Sequence, residues 1–377
     1  YAISQVAEQL IRIIWMLLAT FFIMNVGSKN YVSAVTQSTF AAFIGMIASV
    51  GVLAYFLSKE NMLQAILKKS PSGSSIDTRA LLWDTIREAI PFIITGSAIQ
   101  LFQIIDQMTF SHVMHWFTDY TNTQLLVMFS YFSANPNKIT MILIAVATSI
   151  AGVGIPLLTE NYVKGDFKAA ARLIQDNLTM LLLFILPATI GAVLVARPLY
   201  TVFYGQPDKL ALGLFVFALI QTIILSFYTV LAPMIQALFQ NRKAIVYFLY
   251  GVVVKLILQI PLIWLFRAYG PLLSTTIGLI VPIVFMYREI RDITGLNPQN
   301  LIKRSLLTCI LTLLMIVVIA LADLLLGFFF HPAGRVSSMI YLVLIGGVGI
   351  AVYGGLALRV RLLDRFVGEA KASSLRR

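Results

Sequence analysis

The hydrophobic residues of the chain fall into ten long runs, which polar segments separate. A helix needs about 20 mostly apolar residues to cross the hydrocarbon core of a bilayer, and each run meets or approaches that length. No run alternates apolar and polar residues with the period of two that strands would show. The pattern therefore predicts ten membrane-spanning helices, at residues 6–26, 33–57, 89–110, 137–159, 173–195, 210–238, 244–266, 271–286, 305–329 and 338–358.

The composition supports a membrane protein. Hydrophobic residues make up 59% of the chain and charged residues 12%, and the mean hydropathy is +0.89. A soluble domain usually carries about 25% charged residues, and one soluble core could not bury this much apolar surface. We therefore predict an all-α, polytopic membrane helical bundle.

The net charge of +12 would suit a nucleic-acid-binding protein, but the distribution of the basic residues does not. Most of them lie in alternate connections between the predicted spans and in the C-terminal tail. Cytoplasmic loops of membrane proteins are enriched in Lys and Arg in this way. We therefore predict no nucleic-acid partner, a location in the bacterial cytoplasmic membrane, and a cytoplasmic position for both ends of the chain.

Polar interruptions divide the predicted spans into groups. The longest interruption contains KKSPSGSS, whose Ser, Pro and Gly residues are typical of a flexible linker. The first residue is Tyr1 rather than Met, and no signal peptide follows it, so we expect a fragment of a longer protein. The predicted segments are two helices in 1–57, a cytoplasmic linker and helix entry in 58–88, six helices in 89–287, a cytoplasmic connection in 288–304, a helix pair in 305–358 and a basic cytoplasmic tail in 359–377.

The third predicted span carries a stripe of polar residues. Gln100, Gln103, Asp106 and Gln107 recur at steps of three and four, which places them on one face of a helix. Amides and a carboxylate are unfavourable against lipid, so we expect this face to point at other helices or at a wet cavity. Hydrogen bonds between helices are the structural alternative to a cavity lining.

Three basic residues lie within or against the predicted spans: Arg12, Arg87 and Lys255. Glu8 precedes Arg12 by one helical turn, which favours a mutually neutralising ion pair. Arg87 lies in a polar turn that begins the third span. Lys255 lies near the bilayer midpoint, where a cation is expected to pair with a carboxylate, to bind backbone carbonyls freed near Pro261, or to face a hydrated path.

Other motifs that carry chemistry are absent or weak. Cys309 is the single cysteine, so the chain cannot form an internal disulfide or a cysteine-based metal site. His112 and His115 have the spacing of metal ligands, but no third ligand is nearby, so no metal site is predicted. The chain also lacks a phosphate-binding loop and a catalytic Ser–His–Asp set, so we predict no cofactor.

Two stretches carry motifs with a distinctive order and spacing. Residues 154–205 contain a KGD loop followed by a helix with LPAT, and residues 237–281 contain a lysine-bearing helix, a YG corner and a helix rich in small residues. These stretches resemble lipid-linked oligosaccharide flippases of the MOP superfamily (multidrug, oligosaccharidyl-lipid, polysaccharide). They are most similar to the Gram-positive polysaccharide transporter group, which includes sporulation protein B-like proteins and lipid II flippases. The motif positions with expected structural roles are Pro156, Lys164, Gly165, Asp166, Pro187 and Gly270.

The resemblance implies a two-lobe, inverted-V transporter fold of fourteen helices, with six in each lobe and a final pair. About ten of the fourteen helices would be present here. Residues 1–57 would end the first lobe, residues 89–287 would form the second lobe, and residues 305–358 would be the final pair. The first four helices would be absent. The family's arginine-rich first helix, which holds pyrophosphate, therefore corresponds to no residue of this chain.

The same resemblance implies a transporter rather than an enzyme. An undecaprenyl-diphosphate-linked saccharide, either lipid II or a polysaccharide repeat unit, would cross the membrane by alternating access. Lys255, together with Arg12 or Arg87 if these face inward, would attract the diphosphate. Asp106 would couple transport to a proton or a sodium ion, with the membrane potential as a further energy source. We expect a monomer. The substrate and cavity candidates are Arg12, Arg87, Gln100, Gln103, Asp106, Lys255 and Gln259.

Three alternatives remain open on the sequence alone. A multidrug or cation antiporter of the same superfamily would need acidic cavity residues, of which Asp106 is one. A membrane-embedded glycosyltransferase or polymerase would need clustered carboxylates and large outer loops, and the predicted outer loops are short. A purely structural membrane subunit would not need charges inside its helices.

Overall fold

The structure is a computed structural model that describes residues 2–27, 29–59, 78–328 and 334–360. Within these ranges the chain forms helices and turns and no β-strand, in agreement with the all-α prediction. A short 3₁₀ helix, Arg267–Tyr269, lies between the tenth and eleventh α-helices. The α-helices are α1 (Ala2–Asn25), α2 (Tyr31–Lys59), α3 (Thr78–Gly96), α4 (Ala98–Phe117), α5 (Asn122–Phe132), α6 (Ala134–Val163), α7 (Phe167–Leu194), α8 (Ala196–Tyr204), α9 (Lys209–Ala237), α10 (Asn241–Phe266), α11 (Gly270–Thr294), α12 (Pro298–Gly327) and α13 (Arg335–Arg359).

The lengths and hydropathies of these helices fit a multi-pass membrane protein. Eight segments of the described chain are long and apolar enough to cross a membrane, and α3 together with α4 supplies a ninth. One of the eight, Asn241–Thr294, is 54 residues long. That is about 80 Å of helix, whereas the hydrocarbon core is about 30 Å thick. This segment contains α10 and α11, which fold back on each other at the 3₁₀ turn, so it is long enough for two crossings.

The α10–α11 hairpin is held by a close backbone contact and by pairs of side chains across it. The backbones of Gly251 and Gly278 touch, since a Cβ added to Gly251 would overlap the carbonyl oxygen of Gly278. Towards the open end of the hairpin, the rings of Tyr247 and Phe285 stack with their centroids 5.4 Å apart. Glycine permits this approach because it has no side chain. The approach brings the middle of α10 against the first turns of α11.

A bent pair of helices, α3 and α4, replaces the single straight span predicted at residues 89–110. The two helices meet at an angle of 56°. Pro91 lies inside α3, where it removes a backbone hydrogen bond and weakens the helix. Two side chains of α9 hold the break: the Tyr228 hydroxyl donates to the Thr95 carbonyl oxygen at 3.1 Å, and the Gln236 amide donates to the Thr95 hydroxyl at 2.8 Å. These bonds satisfy polar groups that lipid could not.

The chain divides into two compact units, residues 1–81 and 82–377. In the first unit α1 and α2 pack closely at Gly45, where an added Cβ would lie 2.8 Å from the Glu8 carbonyl oxygen. The ion pairs of the described residues do not include the predicted Glu8–Arg12 pair, and the Arg12 side chain is exposed. The prediction of that pair is therefore wrong for this structure.

Two of the predicted polar segments fall largely outside the described residues. Residues 60–77 belong to the predicted linker, and residues 361–377 belong to the predicted basic tail. The predicted connection at 288–304 is described, and helices cover most of it. Helix α11 continues to Thr294, and α12 begins at Pro298.

The final helix pair belongs to the second compact unit. Helices α12 and α13 pack against each other and against α7. Arg304 of α12 forms an ion pair with Asp176 of α7 at 3.0 Å. The Tyr353 hydroxyl of α13 donates to the Leu183 carbonyl oxygen at 2.7 Å. These contacts attach the pair to the side of α7.

The KGD motif forms the tight turn between α6 and α7. Lys164 caps the C-terminus of α6 and pairs with Glu160 at 2.5 Å. Gly165 has a φ of 75°, a left-handed conformation that favours glycine. Asp166 caps the N-terminus of α7, because its carboxylate accepts the amide hydrogen of Ala169 at 2.9 Å.

The other motif residues lie within or at the start of helices. Pro156 lies inside α6, and Pro187 is buried inside α7. Gly270 begins α11, and a Cβ there would lie 2.5 Å from the backbone of Ile263. A larger residue at position 270 would therefore push the two helices of the hairpin apart at its turn.

We expect Gly251→Val to destabilise the protein more than Gly347→Val. Both substitutions place a β-branched residue inside a helix, but a side chain at 251 would overlap the Gly278 carbonyl, whereas nothing lies within 4 Å of a Cβ at 347. The Gly251 variant should lose about 3 kcal/mol more of the free energy of unfolding. Thermal unfolding of the purified protein in detergent measures the difference. Equal melting temperatures would contradict the close contact.

Candidate functional site

Lys255 is a fully buried cation near the middle of α10, with 0% of its surface exposed. Its Nζ donates to Asp106 Oδ1 at 2.7 Å and to Thr275 Oγ1 at 2.5 Å. The centroid of the Phe102 ring lies 5.2 Å from Nζ, within the range of a cation–π interaction. Of the alternatives that the sequence left open for Lys255, the carboxylate partner is therefore the one that the structure shows.

Asp106 of α4 is the acceptor that connects the other polar groups. Its Oδ1 also accepts from the Gln259 amide at 2.9 Å, and its Oδ2 accepts from the Thr275 hydroxyl at 3.3 Å. Gln259 also donates to the Thr109 hydroxyl at 3.0 Å and accepts from the Ser274 hydroxyl. We call the following six side chains the Asp106 network: Asp106, Thr109, Lys255, Gln259, Ser274 and Thr275.

Three helices supply the network, and helical spacing places two members on each. Asp106 and Thr109 are three residues apart on α4, and Lys255 and Gln259 are four apart on α10, so each pair shares a helix face. Ser274 and the adjacent threonine lie in the second turn of α11. The glycine contact within the hairpin keeps α10 and α11 close enough for their side chains to reach the same carboxylate.

The network offsets the unfavourable burial of two charges. An unpaired ammonium or carboxylate in the membrane interior loses its hydration without compensation. Here each charge meets the opposite charge and at least one neutral hydrogen-bond partner. Removing one partner of such a pair leaves the other charge uncompensated, at a cost of about 3–5 kcal/mol. The pair therefore strongly constrains how α4 meets the hairpin.

A small cavity of about 60 Å³ lies beside Asp106. It can hold a few water molecules, because its volume exceeds that of one water and polar side chains line part of it. Gln221 is fixed on one wall, where its amide donates to the Leu272 carbonyl oxygen at 2.7 Å and to the Thr276 hydroxyl at 2.9 Å. Asp106 thus touches the buried network and also a cavity that can be hydrated. The polar lining residues are Gln103, Asp106, Ser133, Asn137, Thr140, Gln221 and Thr275.

The polar stripe predicted on the third span is only partly directed inward. Asp106 is buried in the network, and Gln103 lines the cavity beside it. Gln100 and Gln107 have exposed side chains and do not line that cavity. Of the four stripe residues, Gln103 and Asp106 therefore lie at this cavity.

The three basic residues predicted within or against the spans lie in different environments. Lys255 lies in the network together with Gln259, as described above, whereas Arg12 and Arg87 are exposed. Neither arginine belongs to an ion pair within the described ranges. The sequence pattern did not indicate four residues of the site, at 109, 221, 274 and 275. The polar run STT at 274–276, inside an otherwise apolar span, was the available signal for two of them.

The fold and the site define a multi-pass helical membrane transporter. Buried charges that face a hydratable interior are typical of the pathways of such proteins. No family model matches the chain. The chain is 31% identical over 373 residues to the lipid II flippase MurJ of Bacillus subtilis (strain 168), a match that covers 98% of this chain and 68% of the relative. The protein therefore belongs to the MurJ family of lipid II flippases, which agrees with the resemblance found in its motifs.

A solved structure supports the same fold. The chain matches a structure of the lipid II flippase MurJ in an inward closed conformation with a TM-score of 0.63 and 17% sequence identity. The match covers 94% of this chain and 66% of the solved chain. This chain thus spans about two thirds of the length of both relatives. The likeness confirms the predicted helical transporter bundle.

We expect Asp106 and Lys255 to contribute to stability as a pair. Lys255→Met and Asp106→Asn should each lower the free energy of unfolding by about 3–5 kcal/mol, because each leaves a buried charge without its partner. The double variant should lose less than the sum of the single losses, since it buries no charge. Unfolding of the purified protein in detergent measures all three, with the exposed Lys168→Met as the control. Strictly additive losses would show that the two charges do not interact.

Proposed function

We propose that the protein moves a lipid-linked saccharide precursor across the bacterial cytoplasmic membrane, as a lipid II flippase. The observation that carries the proposal is the 31% identity to the lipid II flippase of Bacillus subtilis over 98% of the chain. The helical transporter fold supports it, and so does the paired charge beside a hydratable cavity. The chain acts as a transporter in this proposal, so no covalent bond forms or breaks.

The proposed cargo is an undecaprenyl-diphosphate-linked saccharide. Its sugar and diphosphate cannot cross hydrocarbon unaided, because their hydration would be lost without replacement. Its hydrocarbon chain can stay in the bilayer throughout. A polar interior that opens first to one side and then to the other would carry the headgroup across, which is the alternating-access mechanism.

Lys255 cannot meet a diphosphate in the conformation described here. Its side chain is fully buried, and its ammonium is bound to Asp106 and Thr275. In our proposal the Asp106 network is closed in this conformation and opens when α4 moves away from the α10–α11 hairpin. The opened network would present the ammonium to the interior, where it attracts the diphosphate. The contact of Lys255 with Asp106 is then exchanged for a contact with the cargo.

We propose that a proton or the membrane potential, rather than a sodium ion, drives the transport step at Asp106. Lys255 Nζ lies 2.7 Å from Asp106 Oδ1 and already supplies a positive charge there. A sodium ion at the same carboxylate would be repelled by the ammonium. A proton, in contrast, would remove the negative charge that holds Lys255, and so would favour the open network.

We also propose that both ends of the chain face the cytoplasm and that the protein acts as a monomer. The excess of Lys and Arg in alternate connections and in the tail supports the orientation. The alternating-access scheme needs one copy of the chain.

The alternative functions find less support at the site. A multidrug or cation antiporter needs an acidic residue that is free to hold a cationic cargo, whereas Asp106 is bound to Lys255. A glycosyltransferase or polymerase needs clustered carboxylates. In the part of the chain that the structure describes, His, Cys, Asp and Glu side chains form no group of three or more that could hold a metal.

Replacing Lys255 by Met in the full-length protein should abolish transport, because the opened network would then offer no cation to the diphosphate. Complementation of a bacterial strain depleted of its own lipid II flippase measures the effect, with the membrane level of each variant checked by immunoblot. Lys168→Met, at an exposed position, should complement like the unchanged protein. Full complementation by the Lys255 variant at normal expression would refute the role of the cation.

Asp106→Asn should remove the response of transport to a proton gradient. In vesicles containing the purified full-length protein and a fluorescent lipid II analogue, imposed proton gradients or potentials should change the rate of flipping, and sodium gradients should not. The variant should lose the response to protons because an amide cannot take up a proton there. A sodium-dependent rate in the unchanged protein would contradict the proposed energy source.

A further inference from the structure

A second cavity, of about 260 Å³, lies between α7, α9, α11 and α12 and shares no lining residue with the cavity beside Asp106. Its inner surface is apolar. Leu178 and Leu231 form a floor that is almost fully buried, and Phe227 and Ile283 contribute to the walls. A water-filled cavity of this size would need polar partners that such a lining does not offer. The cavity therefore suits an apolar chain.

Two arginines lie at the edge of this cavity, Arg288 and Arg291, both with exposed side chains. Arg291 pairs with the neighbouring Asp292 at 3.2 Å, and both side chains of that pair are about half exposed or more. Such exposed pairs hold their partners weakly. The Arg288 side chain has no ion pair or hydrogen bond to another described residue. Both guanidinium groups can therefore receive an anion.

The position of the arginines along α11 corresponds to the level of lipid headgroups. The 3₁₀ turn that ends at Tyr269 marks one end of the hairpin. Arg288 follows it after roughly 30 Å of helix, which is about the thickness of the hydrocarbon core. Ile283, on the apolar wall, lies more than one turn closer to the bilayer centre. The charged and apolar parts of the site are thus ordered along the membrane normal like the parts of a phospholipid.

We infer that this cavity binds one anionic phospholipid of the surrounding bilayer. The phosphate lies at Arg288 and Arg291, and part of one acyl chain enters the apolar cavity. Guanidinium groups favour a headgroup with net negative charge over a zwitterionic one. The apolar interior favours a lipid over free phosphate. The bound lipid fills the space between α11 and the start of α12, the first helix of the final pair.

The experiment measures the lipid that the purified protein retains in a neutral detergent. The protein is mixed with equal amounts of phosphatidylglycerol and phosphatidylcholine, and the bound lipid is identified by native mass spectrometry. The unchanged protein should retain phosphatidylglycerol in preference. Arg288→Gln with Arg291→Gln should lower that retention by about five-fold for each arginine removed. Arg242→Gln is the matched control, because Arg242 is an exposed arginine that does not line the cavity.

A second variant tests the apolar part of the site. Val284 lines the cavity and is 40% exposed, so Val284→Trp should fill the cavity from its outer side without disturbing the core. This variant should lose phosphatidylglycerol and keep its melting temperature. Val253→Trp, at a position on α10 that is 52% exposed and outside the cavity, should retain the lipid.

Four outcomes would overturn the inference. They are equal retention of the two lipids by the unchanged protein, unchanged retention by the double arginine variant, displacement of the lipid by inorganic phosphate alone, and occupancy by undecaprenyl diphosphate in place of phosphatidylglycerol. The last would assign the cavity to the path of the cargo. Because the measurement is of lipid binding and not of transport, its failure would leave the proposed flippase function standing.

Discussion

A charged side chain can lie in the membrane interior only where an opposite charge and hydrogen-bonding groups meet it, and this constraint organises the centre of the protein. Lys255 and Asp106 come from helices that are far apart in the chain, and both are buried. Neither can be accommodated unless α4 meets the α10–α11 hairpin in one register. Gln259 and Thr275 restrict that register further, because both bind the same carboxylate. One ion pair thereby selects the packing of three helices.

Two features of the backbone allow α4 to pack against the α10–α11 hairpin. The contact between Gly251 and Gly278 brings α10 and α11 close enough to present their polar residues together. The break between α3 and α4 gives α4 a direction that a straight span would not have. Both features place small or helix-weakening residues where apolar side chains would be expected from hydropathy alone. The site thus depends on local sequence features that carry no charge.

Hydropathy and charge predicted the fold class, because the bilayer requires a minimum length of apolar helix. They limited Lys255 to three options, which were a carboxylate partner, backbone carbonyls freed near Pro261, or a hydrated path. They could not identify that partner as Asp106, because the choice depends on how distant helices pack. The bend was likewise hidden, since a proline such as Pro91 is often tolerated inside a spanning helix. Which residues of the polar stripe line the cavity depends on the direction of α4, and the bend sets that direction.

The attachment of Thr95 to Tyr228 and Gln236 has a mechanical consequence. A continuous helix would transmit a displacement along its axis from one surface of the membrane to the opposite one. Here the break between α3 and α4 is bound to α9 by two hydrogen bonds, which Tyr228 and Gln236 donate to Thr95. This attachment makes Thr95 the point about which α3 can change its angle. Displacement of α3 is absorbed there as a change of angle, and the segment that carries Asp106 is shielded from it. Motion of α4 must then come from the helices that grip it directly.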